Sequence, residues 1–154
     1  MDRDQHMQSA TYADAAVGNN LPAQTQPAIS RTTLALFAGA SGDHNPIHID
    51  IDFAKKFGMD DVFAQGMLSM AYMASIVTSW APQSALRGFN TKFVAITWLQ
   101  DEITCTGKVV KKFEVDGEAR IVVALQATSQ SGEVKLVGEA ILALPHLPGS
   151  DMVL

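Results

Sequence analysis

From Met67 to Val77 the chain is apolar nearly all round, with Met67, Leu68, Met70, Met73, Ile76 and Val77 separated only by small residues and Tyr72. A helix of that kind has no face to offer water, so it must be surrounded by other elements. Gln65, Gly66, Ser69 and Ser75 interrupt the wider stretch from Val62 to Val77, which is too short and too polar for a membrane span. The chain beyond Arg87 is strand-like. Gly88 to Leu99, Glu102 to Val115, Arg120 to Thr128 and Val134 to Leu144 are separated in part by Asp116-Gly117 and Ser131-Gly132, both strong turn signals. In the third run Ile121, Val123, Leu125 and Ala127 alternate with polar positions such as Arg120 and Gln126. The fold class is therefore α+β, an antiparallel sheet wrapped around one long central helix starting near Gly66 and ending near Trp80.

Shorter elements precede that helix. Ser30 is a good N-cap, and Leu34, Phe37 and Ala38 recur at helical spacing until Gly39 and Gly42 end the pattern. Asp50 or Asp52 can cap a second short helix that carries Phe53 and Phe57 and stops at Gly58. Residues 1–24 are rich in Gln, Ala and Asn without periodicity. They read as a flexible N-terminal arm, or one ordered late by packing on the body. Residues 25–145 form a single domain and 146–154 a C-terminal tail.

The chain has 154 residues, enough for one core. Its net charge of -5 argues against nucleic acid as a partner. Met1 to Gln8 carries acidic residues and no apolar run, so no signal peptide is read there. Cys105 is the single cysteine and lies in an alternating run, which fits a small buried side chain and a reducing, cytoplasmic setting.

Chemistry concentrates in Ser41-Gly42-Asp43-His44-Asn45-Pro46-Ile47-His48. Pro46 forbids a continuous helix, and Gly42 frees the backbone, so the run reads as a loop that aims polar side chains inward. A carboxylate and an imidazole aimed at one point are the parts of a general acid–base pair. Asn45 either fixes the loop backbone or contacts substrate or water. A metal fits poorly, because His44 and His48 would share a face only on a helix.

The stretch Phe37-Ala38-Gly39-Ala40-Ser41-Gly42-Asp43-His44-Asn45-Pro46-Ile47-His48-Ile49-Asp50, with Ala54, Gly58 and Ala64-Gln65-Gly66-Met67, resembles the signature of the MaoC-like hydratases. These form the (R)-specific enoyl-CoA hydratase branch of the hot-dog fold. The resemblance implies reversible addition of water to a trans-2-enoyl thioester. Asp43 and His48 would hold and deprotonate the water, and the N–H of Gly66 would meet the thioester oxygen as it becomes an enolate. It further implies Asn45 and Ser41 in support, and Gln65, Met67, Phe37 and Trp98 at the substrate. Met70 and Met73 read as core. Coenzyme A enters as part of the substrate, so no bound cofactor is expected. Arg87, Lys92 and Lys108 are candidates for its phosphates. A homodimer or dimer of dimers is expected. A 3-hydroxyacyl-ACP dehydratase, a thioesterase of the same fold and a non-catalytic acyl-binding partner subunit are the alternatives. Many members of the family carry Pro and Gly in the strand after the long helix. Here Ile96 and Gln100 take those places, which bears on the shape of the acyl pocket, and Trp98 stands between them.

Overall fold

Ser30 performs the capping its position predicts. Its backbone is extended and its hydroxyl accepts the Thr33 N–H, which starts helix α1 (Arg31–Ser41). Leu34 and Ala38 are the residues α1 buries. The helix runs through Gly39 and ends only at Gly42, where φ is +76° and the N–H returns to the Ala38 carbonyl. Glycine adopts that left-handed conformation without the Cβ penalty other residues meet. Asp50, not Asp52, caps α2 (Ile51–Lys56), its carboxylate accepting the N–H groups of Asp52 and Phe53. These features belong to a computed structural model that describes residues 10–146.

Helix α3 (Gly66–Trp80) packs Leu68, Ser69, Met73, Ile76 and Val77 into the interior and touches four strands. The sheet wraps this helix as expected, though not on every side. Met67 is 54 % exposed and Ala71 also faces out, because the sheet of one chain reaches around only one side of α3. None of the helices among the described residues is long and apolar enough to cross a membrane.

Among the described residues five strands form one antiparallel sheet: β1 (Gln24–Thr25), β2 (Leu86–Phe93), β3 (Thr104–Val115), β4 (Glu118–Thr128) and β5 (Val134–Ala143), in the order β1-β3-β4-β5-β2. With α3 on its concave side this is the hot-dog arrangement. The β3–β4 hairpin turns at Asp116 and Gly117, both left-handed (φ +52° and +76°), the backbone a two-residue turn needs to match strand twist. Along β4, Ala119, Ile121, Val123, Leu125 and Ala127 are buried in alternation. Cys105 is buried in β3, and burial pushes its thiol up to about 11.

Two boundaries differ from the sequence reading. The first of the long strands ends at Phe93, and residues 94–100 leave the sheet as a loop. The N–H groups of Val94 and Ala95 both turn onto the Lys135 carbonyl, and Gln100 has φ +67°. The N-terminal arm, in turn, is attached to the body from Ala10 onward. Ala15 and Leu21 are buried, Gly18 and Leu21 donate to Val109 and Gly107 of β3, and Tyr12 donates to Pro145. Those bonds give an otherwise unpatterned segment a place along the edge of β3. The first nine residues, which include the stretch where no signal peptide is expected, and the tail beyond His146 lie outside the described residues.

Gln100 sits where glycine would be unstrained. Gln100→Gly is expected to raise stability by about 0.5 kcal/mol, the relief of left-handed strain less the added unfolded-state freedom. Urea unfolding measures it, and a loss above about 1 kcal/mol would contradict the strain argument.

Candidate active site

The Asp–His loop is built by side chains bonding nearby backbone. Ser41 Oγ donates to the Phe37 carbonyl (2.7 Å) and accepts the Asp43 N–H (3.2 Å). Asp43 Oδ1 accepts the Asn45 N–H (3.3 Å), and Asn45 Oδ1 accepts the Ile47 N–H (3.2 Å). Pro46 then opens a single 3-10 turn, Pro46–His48, where its missing N–H costs nothing. Ser41 and Asn45 thus act on the loop backbone in this structure. His44 is exposed, whereas His48 is buried. Among the described residues no three His, Cys, Asp or Glu side chains gather as a metal site would require.

His48 Nε2 lies 3.9 Å from Asp43 Oδ2, beyond direct hydrogen bonding but within reach of one shared oxygen atom. The other ring nitrogen, Nδ1, is 2.8 Å from the Phe63 carbonyl. A carbonyl can only accept, so Nδ1 carries the proton, and in the neutral ring Nε2 presents a lone pair toward Asp43. The Phe63 ring also meets the imidazole edge-on at 5.0 Å between centroids. The Asp43 carboxylate remains about 40 % exposed while the His48 side chain is 10 % exposed, so the pair spans the boundary between interior and solvent.

Gly66 stands three residues beyond Phe63, at the first position of α3, where a helix N–H has no intrahelical partner and the backbone dipole favours negative charge. A cavity of about 370 Å³ opens beside it. Phe63, Ala64, Gly66 and Ser69 line one side, and Phe93 to Thr97 with Leu136 line the other. Phe93 presses its ring on Gly66: a Cβ there would meet Phe93 Cε1 at 3.0 Å. Asp43 and His48 do not line this cavity, whereas Phe63 lines it and also meets His48 through its carbonyl and its ring.

The substrate-side residues expected from sequence are placed differently. Gln65 is fully buried, and its amide nitrogen donates to the Leu34 carbonyl (3.1 Å), tying α3 to α1. Its Oε1 has no partner among the described residues. In this structure its side chain serves the α1–α3 junction. Phe37 packs half-buried against the core, and Met67 is exposed one position after Gly66. Trp98 packs edge-on against Phe63 at 5.9 Å between ring centroids. Arg87 is committed to Glu118 and to the Ser84 carbonyl, leaving Lys92 and Lys108 as exposed cations on β2 and β3. Arg87 and then Arg120 hold the Glu118 carboxyl down at about 2. Sequence reasoning missed Phe63, Phe93 and the 94–97 wall, since neither periodicity nor motif distinguishes them from core.

The family model described as a MaoC-like domain matches residues 12–131. An (R)-specific enoyl-CoA hydratase of Rhodospirillum rubrum is 29 % identical over 119 residues, 76 % of this chain and 81 % of that protein. The beta subunit of the Saccharomyces cerevisiae fatty acid synthase is 28 % identical over 116 residues, and there the matched segment spans only 6 % of the relative's length. Among solved structures, the R-hydratase PhaJ1 of Pseudomonas aeruginosa in its unliganded form superposes with a TM-score of 0.78 at 28 % identity, covering 89 % of this chain and 86 % of that one.

Proposed function

The chain belongs to the MaoC-like domain family of hydratases and dehydratases, and from that premise we propose that it adds water reversibly to trans-2-enoyl thioesters, with coenzyme A as carrier. The single observation that carries this reading is the Asp43–His48 pair, with His48 Nδ1 committed to the Phe63 carbonyl. Two acceptors 3.9 Å apart, a carboxylate oxygen and an imidazole lone pair, suit one water that donates a proton to each. The water's own lone pair is then left for C3 of the substrate.

In the forward direction the water oxygen forms a bond to C3, and one of its protons passes to the Asp43–His48 pair. The C2–C3 π electrons move onto the thioester, and the resulting enolate oxygen is met by the N–H of Gly66. A proton returned from the same pair forms the C2–H bond. Both additions occur on one side of the alkene, and the (R) configuration of the 3-hydroxyacyl product, which the family reading supplies, depends on the face of C3 that meets the water. An oxyanion donor of this kind is worth about 3 kcal/mol because the charge it meets exists only as the reaction proceeds. The cavity beside Gly66 is the natural berth for the acyl chain, and its apolar lining suits a hydrocarbon tail.

The open edge of β2 and the exposed Met67 and Phe93 support association with a second copy, which would cover the uncovered side of α3. A thioesterase of the same fold is the rival reading, and the Asp43–His48 loop, which matches the hydratase signature, favours the hydratase over it.

Purified protein mixed with crotonyl-CoA is expected to consume the enoyl absorbance and yield the (R)-3-hydroxy product by chiral chromatography. Absence of turnover across short, medium and branched enoyl-CoAs would sink the hydratase reading. Release of free thiol would favour the thioesterase.

A further inference from the structure

Lys135, the second residue of β5, is 1 % exposed, an extreme place for an ammonium. Burial works against its charge, but hydrogen bonds to Glu133 and Asp101 prevail and hold its pKa above the ordinary lysine value. An apolar residue of similar volume would generally hold a strand there at least as well. The use of the charge lies in what only an ammonium can do, which is to donate in three directions at once.

Two of the three donors serve the loop between β2 and β3, and the third is held by Glu133 just before β5. Nζ bonds the Ile96 carbonyl (2.8 Å), Asp101 Oδ2 (3.1 Å) and the Glu133 carboxylate. The Lys135 carbonyl meanwhile accepts the N–H groups of Val94 (2.8 Å) and Ala95 (3.2 Å). One residue therefore grips the loop at its start, middle and end. The grip continues beyond Lys135. Asp101 Oδ2 also accepts the Trp98 N–H (2.8 Å), and Trp98 is bridged to Phe63 in antiparallel fashion, with the Ala64 N–H on the Thr97 carbonyl (2.9 Å). Phe63 is the residue whose carbonyl orients His48, and Ala64 leads into Gly66. The held loop supplies Val94 to Thr97 of the cavity wall.

We propose that Lys135 is a positioning residue whose bonds to Ile96 and Asp101 set the 94–97 wall, and so fix the range of acyl-chain lengths the site accepts. This rests on the hydratase reading and deepens it. The reacting groups, Asp43, His48 and the Gly66 N–H, are not touched by Lys135 itself. Loss of the clamp therefore acts on how the acyl chain is held more than on the proton transfers.

The test compares Lys135→Met, Lys135→Arg and Asp101→Asn with the unaltered protein, on enoyl-CoAs of four, six and eight carbons. Lys135→Met has similar length but no charge. It is expected to keep kcat on its best substrate within about threefold while KM rises about tenfold and the ranking of chain lengths changes. Lys135→Arg should recover part of the loss, and Asp101→Asn should move KM in the same direction as Lys135→Met. A folded Lys135→Met with unaltered KM and ranking overturns the proposal. Should that variant fail to fold, Asp101→Asn decides in its place, since it keeps an oxygen for the Trp98 N–H but removes the carboxylate charge that holds the ammonium; unaltered KM and ranking there overturn the proposal equally. If the unaltered protein turns over none of these substrates, the hydratase reading fails by itself. The clamp is then read from calorimetric binding of butyryl-, hexanoyl- and octanoyl-CoA: unchanged length selectivity in Asp101→Asn, or no binding by the unaltered protein, rejects it.

Discussion

Asp43→Asn and His48→Gln are each expected to lower turnover of crotonyl-CoA by at least about a hundredfold, with little change in melting temperature. The physical reason differs between the two. Asparagine at position 43 keeps an oxygen for the Asn45 N–H, so the loop holds its shape, but that side chain can no longer accept a proton. Glutamine at position 48 can still donate to the Phe63 carbonyl, yet it has no basic nitrogen to offer the water. Both changes leave the cavity wall intact, since neither residue lines it. The losses should therefore appear in kcat, with KM altered much less. Because the two groups act on one water, the double variant is expected to lose scarcely more than either single one. Near-full activity in either folded variant would remove that residue from the mechanism.

Gly138→Ala is expected to cost about 3 kcal/mol or more, a large loss for the addition of one methyl group. Gly138 lies in β5 opposite Thr91 of β2. A Cβ there would sit 2.1 Å from the Asn90 carbonyl oxygen and 3.2 Å from the Thr91 Cα. The obstacle is backbone, so no rotamer change relieves it, and the β2–β5 pairing must open locally. The consequence reaches the site. β2 ends in Phe93, whose ring packs on Gly66, so a displaced β2 loosens the contact at the enolate donor. Urea unfolding of Gly138→Ala beside Gly39→Ala separates this clash from a general effect of removing glycine. At Gly39, within α1, an added Cβ meets nothing within 4 Å, and alanine should stabilise by about 0.5–1 kcal/mol. Equal small effects at the two positions would show that the strand pair yields without strain.

Much of the local architecture was legible because its chemistry is local. Ser30 bonds a backbone N–H three residues on, Asp50 does so two and three residues on, and the Asp116-Gly117 turn needs only its own two φ angles. Ser41, Asp43 and Asn45 form a relay in which no bond spans more than four residues. The alternation along β4 is likewise a period-two pattern that burial must obey. Failures came where a partner lies far along the chain. Nothing near Val94 indicates that its N–H will leave the sheet for a carbonyl forty-one residues later. Nor does anything near Gln65 indicate that its amide will reach the Leu34 carbonyl thirty-one residues earlier.

The sequence by itself determined an Asp–His loop, a helix beginning at Gly66 and a meander to pack against it, because caps, turns and periodicities are decided within a few residues. Only the tertiary structure decided that the Phe63 carbonyl sets the tautomer of His48, that Phe93 lies on Gly66, and that Lys135 holds the cavity wall. Each of those depends on groups separated by 15 to 39 residues, brought together by the folding of the sheet around α3. Hydrogen bonding and packing at such separations are properties of the closed core, and no short stretch of the chain contains them.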